Sequence, residues 1–211
     1  MRWRAIEDHA YMSYRPRYQQ EPTDLRAEIW GAGVISPLQL FRIVAWKSTQ
    51  GLAWVTLNSE DDIALRSSEC LEAIVNWRTK DIRDSDADWV NWEIVVRGAV
   101  GTKDPPKGLF GLAGVRYPVA SAILSLLAPQ AFPVIDRWAI KGIYGRQIRS
   151  FHTAWFYRDF TEQLVRISDR FPDCRTIHEV DQAVMNAARF CGHAERPCRC
   201  LPFPAAAAPT A

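Results

Sequence analysis

Two features of this chain could do chemistry, and they stand close together in the sequence. The loop Ala113-Gly114-Val115-Arg116-Tyr117 joins two apolar helical segments, and a single carboxylate, Asp136, ends the apolar run Phe132-Pro133-Val134-Ile135. A tight turn opening a helix presents backbone N–H groups that suit a phosphate oxygen. Gly114 permits close approach, and Arg116 adds a cation to the same contact. Asp136 stands before Arg137-Trp138-Ala139-Ile140, an ordinary N-cap position, where the positive end of the helix dipole favours an ionised carboxylate. A glycine turn and a capping Asp are also common as plain structure, so their order and spacing must carry the argument.

The elements that would position this pair read as helices. Ser36-Pro37 is a helix start, and Leu38, Phe41, Val44 and Ala45 continue it as an apolar stripe to about Ser48. Further helices are expected within Ser59–Leu65 and Ser67–Lys80, and after Ser85 on a face carrying Trp89, Trp92 and Val96. Pro105-Pro106 breaks the chain before a short segment at Leu109–Leu112, and Pro118–Leu127 is helical. The stretches 136–145 and 152–171 are helical as well, the second aromatic on one face. Thr176-Ile177-His178-Glu179 has capping-box form ahead of Val180, Ala183, Val184 and Ala187. Only Trp54-Val55-Thr56-Leu57 resembles a strand, and it stands alone. The fold class is therefore all-α.

Length and composition limit the rest. A chain of 211 residues with 48% apolar residues can bury one substantial core, in one domain or two lobes sharing a cleft. Residues 1–21 read as an irregular arm, 22–190 as the folded body and 191–211 as a Pro- and Ala-rich mobile tail. The formal charge of +2 permits nucleic-acid binding without demanding it, so any such footprint must be local. No apolar run has the length of a membrane span, and the first residues lack the apolar core of a signal peptide, which makes the cytoplasm the expected compartment. Five cysteines in such a chain are expected as thiols. Cys191, His193, Cys198 and Cys200 are four zinc-ligand types at an unfamiliar spacing, and a solvated tail is the simpler reading.

The run Leu112-Ala113-Gly114-Val115-Arg116-Tyr117-Pro118-Val119-Ala120, followed at fixed distance by Val134-Ile135-Asp136, resembles the helix-hairpin-helix signature of the base-excision DNA glycosylase superfamily, whose members include endonuclease III and adenine glycosylase. The family pattern is Leu-Pro-Gly-Val-Gly, two variable residues, Thr or Val, then Ala, an apolar helix and a catalytic Asp. The likeness extends over about residues 36–190. It implies a two-lobed helical fold with the hairpin at 109–127 and double-stranded DNA as partner. Gly114, Val115, Arg116, Tyr117, Arg137 and Lys141 would hold the backbone, with Arg146 and Arg149 continuing the basic track. Asp136 would be the catalytic carboxylate, stabilising positive charge on the deoxyribose as the base departs and directing water, a problem shared with two-carboxylate glycosidases. The end of the first core helix and its following loop, with Trp46, Lys47, Ser48 and Gln50, would approach the flipped base, and Trp138 would wall its pocket.

Three departures refine the expectation. Bifunctional members carry a nucleophilic Lys where this chain has Pro118, so the resemblance implies a monofunctional enzyme that leaves an abasic site, unless Lys47 or Lys141 reaches the sugar from elsewhere. The second hairpin Gly is Arg116, which either tightens the phosphate contact or distorts the turn. Cys191, Cys198 and Cys200 do not have the spacing of the iron–sulfur cluster that several members hold, so no cofactor and no metal are expected. The expectation is a monomeric, compact bacterial-type glycosylase for a damaged or modified base. A hypermodified phage base such as glucosylated hydroxymethylcytosine is one role it could share, in antiviral defence. The alternatives are a host-lesion repair glycosylase, a non-catalytic hairpin protein that grips DNA, and a structural protein in which Asp136 only caps a helix.

Overall fold

Side-chain caps set where this chain turns from loop to helix. A computed structural model describes residues 21–47, 52–84, 86–145, 148 and 153–190. Ser36 accepts from the Gln39 N–H while Gln39 accepts from the Ser36 N–H, a reciprocal cap one helix into the structure. The helices are α1 (Leu25–Ala32), α2 (Pro37–Lys47), the single turn α3 (Leu52–Val55), α4 (Glu60–Ile74), α5 (Trp89–Val100), α6 (Tyr117–Leu127), α7 (Arg137–Tyr144), α8 (Ala154–Ile167) and α9 (Ile177–Phe190). Short 3-10 turns occupy Val75–Trp77, Gly108–Gly111 and Ser168–Arg170. Ser59, Asp88, Asp136 and Thr153 each accept a first-turn N–H at the head of α4, α5, α7 and α8. No strand occurs among the described residues, so the fold is all-α.

Several local expectations change. Trp54-Val55-Thr56-Leu57 is not a strand, because Leu52–Val55 forms a helical turn and the Thr56 hydroxyl bonds back to the Ala53 carbonyl. The two helices expected on either side of residue 66 are one, α4. Ser67 does not start a helix; its buried hydroxyl donates to Ala64 and accepts from the Ile35 N–H, so it is satisfied in mid-helix. The helix expected after Ser85 is α5, which begins at Trp89 with Asp88 as its cap. At α9 Thr176 caps as expected, while Glu179 turns to the Arg175 N–H instead of closing the box.

The helix α2 is rotated from its expected stripe. Leu40, Ile43 and Val44 are buried, whereas Leu38 is 69% and Phe41 41% exposed. Apolar residues lie on both sides of this helix; the side carrying Leu40, Ile43 and Val44 is buried, while Arg42 pairs with Asp24 at 2.8 Å on the exposed side.

Helix α6 runs through the centre with every residue from Val119 to Leu127 buried. It packs on α1 and α2, and its last carbonyls accept from the side chains of Arg26 and Trp30. α4 packs on α5, which also meets α8, while α7 packs most closely on α9. The buried apolar side chains from Leu25 to Ala188 form one core cluster. Cys70 and Cys174 are thiols, and burial pushes the first up to about 12 and the second to about 11. Among the described residues no helix is long and apolar enough to cross a membrane.

Candidate active site

The segment from α6 to Asp136 has no regular structure, yet it is buried and tied down along almost its whole length. The Ala128 carbonyl accepts from the Ala131 and Phe132 N–H groups. The Pro129 carbonyl accepts from the His178 N–H of α9, and the Gln130 carbonyl from the Ile82 N–H. Trp92 of α5 donates its indole N–H to Ala131 at 2.9 Å, and Tyr157 of α8 donates its hydroxyl to Pro133 at 2.6 Å. The Val134 N–H then donates to Asp181 of α9 at 2.6 Å, and the Ile135 N–H to the Ser121 hydroxyl of α6 at 2.9 Å. A buried loop must satisfy its backbone polar groups somewhere. This one does so on four different helices, which fixes the path into Asp136.

After the buried run from Ala131 to Ile135, Asp136 reaches solvent, its side chain 24% exposed. One carboxylate oxygen accepts the Trp138 N–H at 2.7 Å, and the Asp136 carbonyl begins α7 by accepting from Ile140. The other oxygen faces Lys47 Nζ at 3.5 Å. Lys47, the last residue of α2, is 12% exposed in its side chain. Burial lowers its pKa, while Asp136 and Asp181 partly restore the ammonium. The expected acid and one expected pocket residue therefore meet, from chain positions far apart.

The segment expected to form the helix-hairpin-helix has an α-helix on one side of its turn only. Its first arm is the 3-10 turn Gly108–Gly111 and its second is α6. Gly114 has φ of 80°, a left-handed conformation that an L side chain would strain. Asn58 braces the turn from outside, accepting the Ala113 N–H at 2.7 Å and donating to the Ala113 carbonyl at 3.1 Å. Arg116 occupies extended backbone, so the position does not require the glycine of the family pattern, and its guanidinium folds onto the Val115 carbonyl at 2.9 Å. The Val115 N–H is used inside the turn by Leu112. Among the described residues, the N–H groups of Gly114, Arg116 and Tyr117 have no acceptor, which leaves three donors at the head of α6. The Val115 and Tyr117 side chains are buried, Tyr117 edge-on to Phe110 at 5.0 Å, so they contribute backbone and packing only.

Around Trp138 the charge is positive. Arg137, Lys141 and Arg189 lie 5.4, 5.6 and 5.9 Å from its ring centroid, and Arg189 is a cation that the sequence reading missed. Trp46 is partly buried and meets the ring of His178 edge-on at 6.3 Å. Trp92 is core, while Trp155 is 49% exposed. Ser48, Gln50, Arg146 and Arg149 lie outside the described residues, as do Cys191, His193, Cys198 and Cys200. Among the described residues no group of three His, Cys, Asp or Glu side chains is arranged so that it could hold a metal ion.

The most informative side chains behind the acid were not singled out from the sequence. His178 is 4% exposed and lies between Asp181 at 3.0 Å and Glu21 at 3.1 Å. Burial alone would push this imidazole down, but the two carboxylates outweigh it and lift it to about 10. A signal was present: Asp181 falls on the stripe of Ile177, Val180 and Val184, and an acid on an apolar face needs a partner.

No family model, curated protein or solved structure matches this chain.

Proposed function

We propose that this chain is a DNA N-glycosylase in which Asp136 assists hydrolysis of the bond between a flipped-out base and its deoxyribose. The observation that carries the reading is a carboxylate held by a rigid, multiply tethered segment yet open to solvent, at the start of a helix and against Lys47. Rigid support of this kind suits a group that must meet a developing charge without reorganising. The donors at Gly114, Arg116 and Tyr117 suit a DNA phosphate, and Arg137, Lys141 and Arg189 supply local cationic charge. Trp46 and Trp138 are the aromatic candidates for holding the extruded base in a cleft between two lobes.

Pro118 offers no amine, and the amine nearest the acid, Lys47, is engaged by Asp136 at 3.5 Å; the reading therefore assigns the nucleophile to water and the product as an abasic site. A bulky hypermodified cytosine of phage DNA heads the substrate classes, with host lesions second. The test is incubation with duplexes carrying one modified base each, followed by alkali to cut at abasic sites. Strand cleavage with one substrate is expected; none across the panel would refute the reading. Borohydride trapping of protein on DNA would refute the water-nucleophile step alone.

A second reading is a DNA-gripping protein without catalysis. The Lys47–Asp136 pair favours it, since both oxygens of the acid are already engaged. It predicts DNA binding with no base released.

A further inference from the structure

Asp181 stands behind the proposed acid and holds two groups at once. Its Oδ2 accepts the Val134 N–H at 2.6 Å, two residues before Asp136, and meets His178 Nδ1 at 3.0 Å. His178 Nε2 continues to Glu21 at 3.1 Å, and Gln182 donates its amide N–H to the same Glu21 carboxylate at 3.3 Å. The carboxylate is 2% exposed, so it is far too deep to meet DNA or a base. A lone carboxylate at that depth is strongly unfavourable, and a protonated His178 compensates it. Lys47, which contacts Asp136 directly, also acts on Asp181 through charge. One buried anion therefore holds the backbone that leads into the acid and influences the cation paired with it.

We infer that Asp181 is a positioning residue for Asp136: its His178-balanced carboxylate fixes the Val134–Asp136 backbone, and with it the angle at which the exposed carboxylate faces the sugar. The inference rests on the glycosylase reading. Ser121 pins the neighbouring N–H of Ile135 from α6, so Asp181 controls one of two adjacent tethers. Loss of one tether lets the segment swing without unfolding the domain. Misplacement by about an ångström lowers a rate by roughly a hundredfold.

The test measures single-turnover base release and duplex affinity separately. Asp181→Ala is expected to slow release by about 10- to 100-fold while leaving DNA affinity within about threefold. In an Asp136→Asn background the same change should add little, because both act through one group. Asp181→Asn keeps an oxygen for the Val134 N–H and should recover most of the rate. Should Asp181→Ala fail to fold, His178→Asn carries the test, since its amide can still meet Asp181 and a partial loss of rate is expected. An unchanged rate in Asp181→Ala, an equal loss in the Asp136→Asn background, or Asp181→Asn as slow as the alanine variant would overturn the inference alone. An unchanged rate in His178→Asn, where that variant stands in, would do the same. A wild-type protein that releases no base from any substrate would overturn the glycosylase reading with it.

Discussion

Two serines on α6 make an internal control for the tethered segment. Ser121 and Ser125 are one helical turn apart and both fully buried. The Ser121 hydroxyl donates to the Pro118 carbonyl at 3.1 Å and accepts the Ile135 N–H at 2.9 Å. Among the described residues the Ser125 hydroxyl has no partner. Replacing either by Ala removes the same atom from the same helix, with opposite consequences. Ser121→Ala leaves the N–H of Ile135, a residue 1% exposed, without an acceptor. An orphaned buried donor costs roughly 1–3 kcal/mol. Ser125→Ala deletes a hydroxyl that was desolvated without compensation, so the change lies between about zero and 1 kcal/mol of stabilisation. At roughly 2–4 °C per kcal/mol for a chain of this size, Ser121→Ala should melt about 2–12 °C lower and Ser125→Ala no lower than wild type. Urea titration with a common m-value, checked by calorimetry, reads both. Equal destabilisation by the two changes, or a Ser121→Ala variant within about 0.5 kcal/mol of wild type, would refute the account of how the loop is held.

Other consequences can be measured on the same protein. His178 is lifted from 6.5 to about 10, so its stabilising effect is complete below about pH 6.5 and lost as pH rises through 10. The stability gap between wild type and His178→Asn should narrow by roughly 1.4 kcal/mol per pH unit between pH 7 and 9, and a gap independent of pH would contradict this. Asn58→Ala removes both hydrogen bonds that brace Ala113 and should destabilise by about 1–3 kcal/mol while weakening DNA binding. Fluorescence anisotropy against salt should show Kd rising steeply, and Lys141→Ala should reduce the slope by about one, whereas a salt-insensitive Kd would remove the cationic track.

The parts of this molecule that were legible in the sequence are those set by local chemistry. Pro118 at the head of an apolar run marks α6, and Asp136 before Arg137-Trp138 marks the start of α7, because each start is encoded within a few residues. The exposed face of α2 was not legible, since apolar residues lie on both sides and only packing against α6, remote in sequence, distinguishes them. The sequence divides the chain into two helices near residue 66, whereas α4 runs on through Ser67, whose hydroxyl is occupied by the N–H of Ile35, remote in sequence. The helix α1, short and weakly patterned, escaped notice altogether. The same limit applies to the site. Asp136 could be named from its own neighbours, but its support from Asp181, Ser121, Tyr157 and Trp92 arises only when four helices meet. Lys47 was expected at the flipped base and is found against the acid itself.

The most direct test of the central claim compares wild type with Asp136→Asn on whichever modified-base duplex is cleaved. Asn keeps the size of the side chain and an oxygen for the Trp138 N–H, so folding and duplex affinity should match wild type. Single-turnover base release should fall by at least about a hundredfold, in line with loss of a group that stabilises transition-state charge. Base release at the wild-type rate from a folded Asp136→Asn protein would contradict the account.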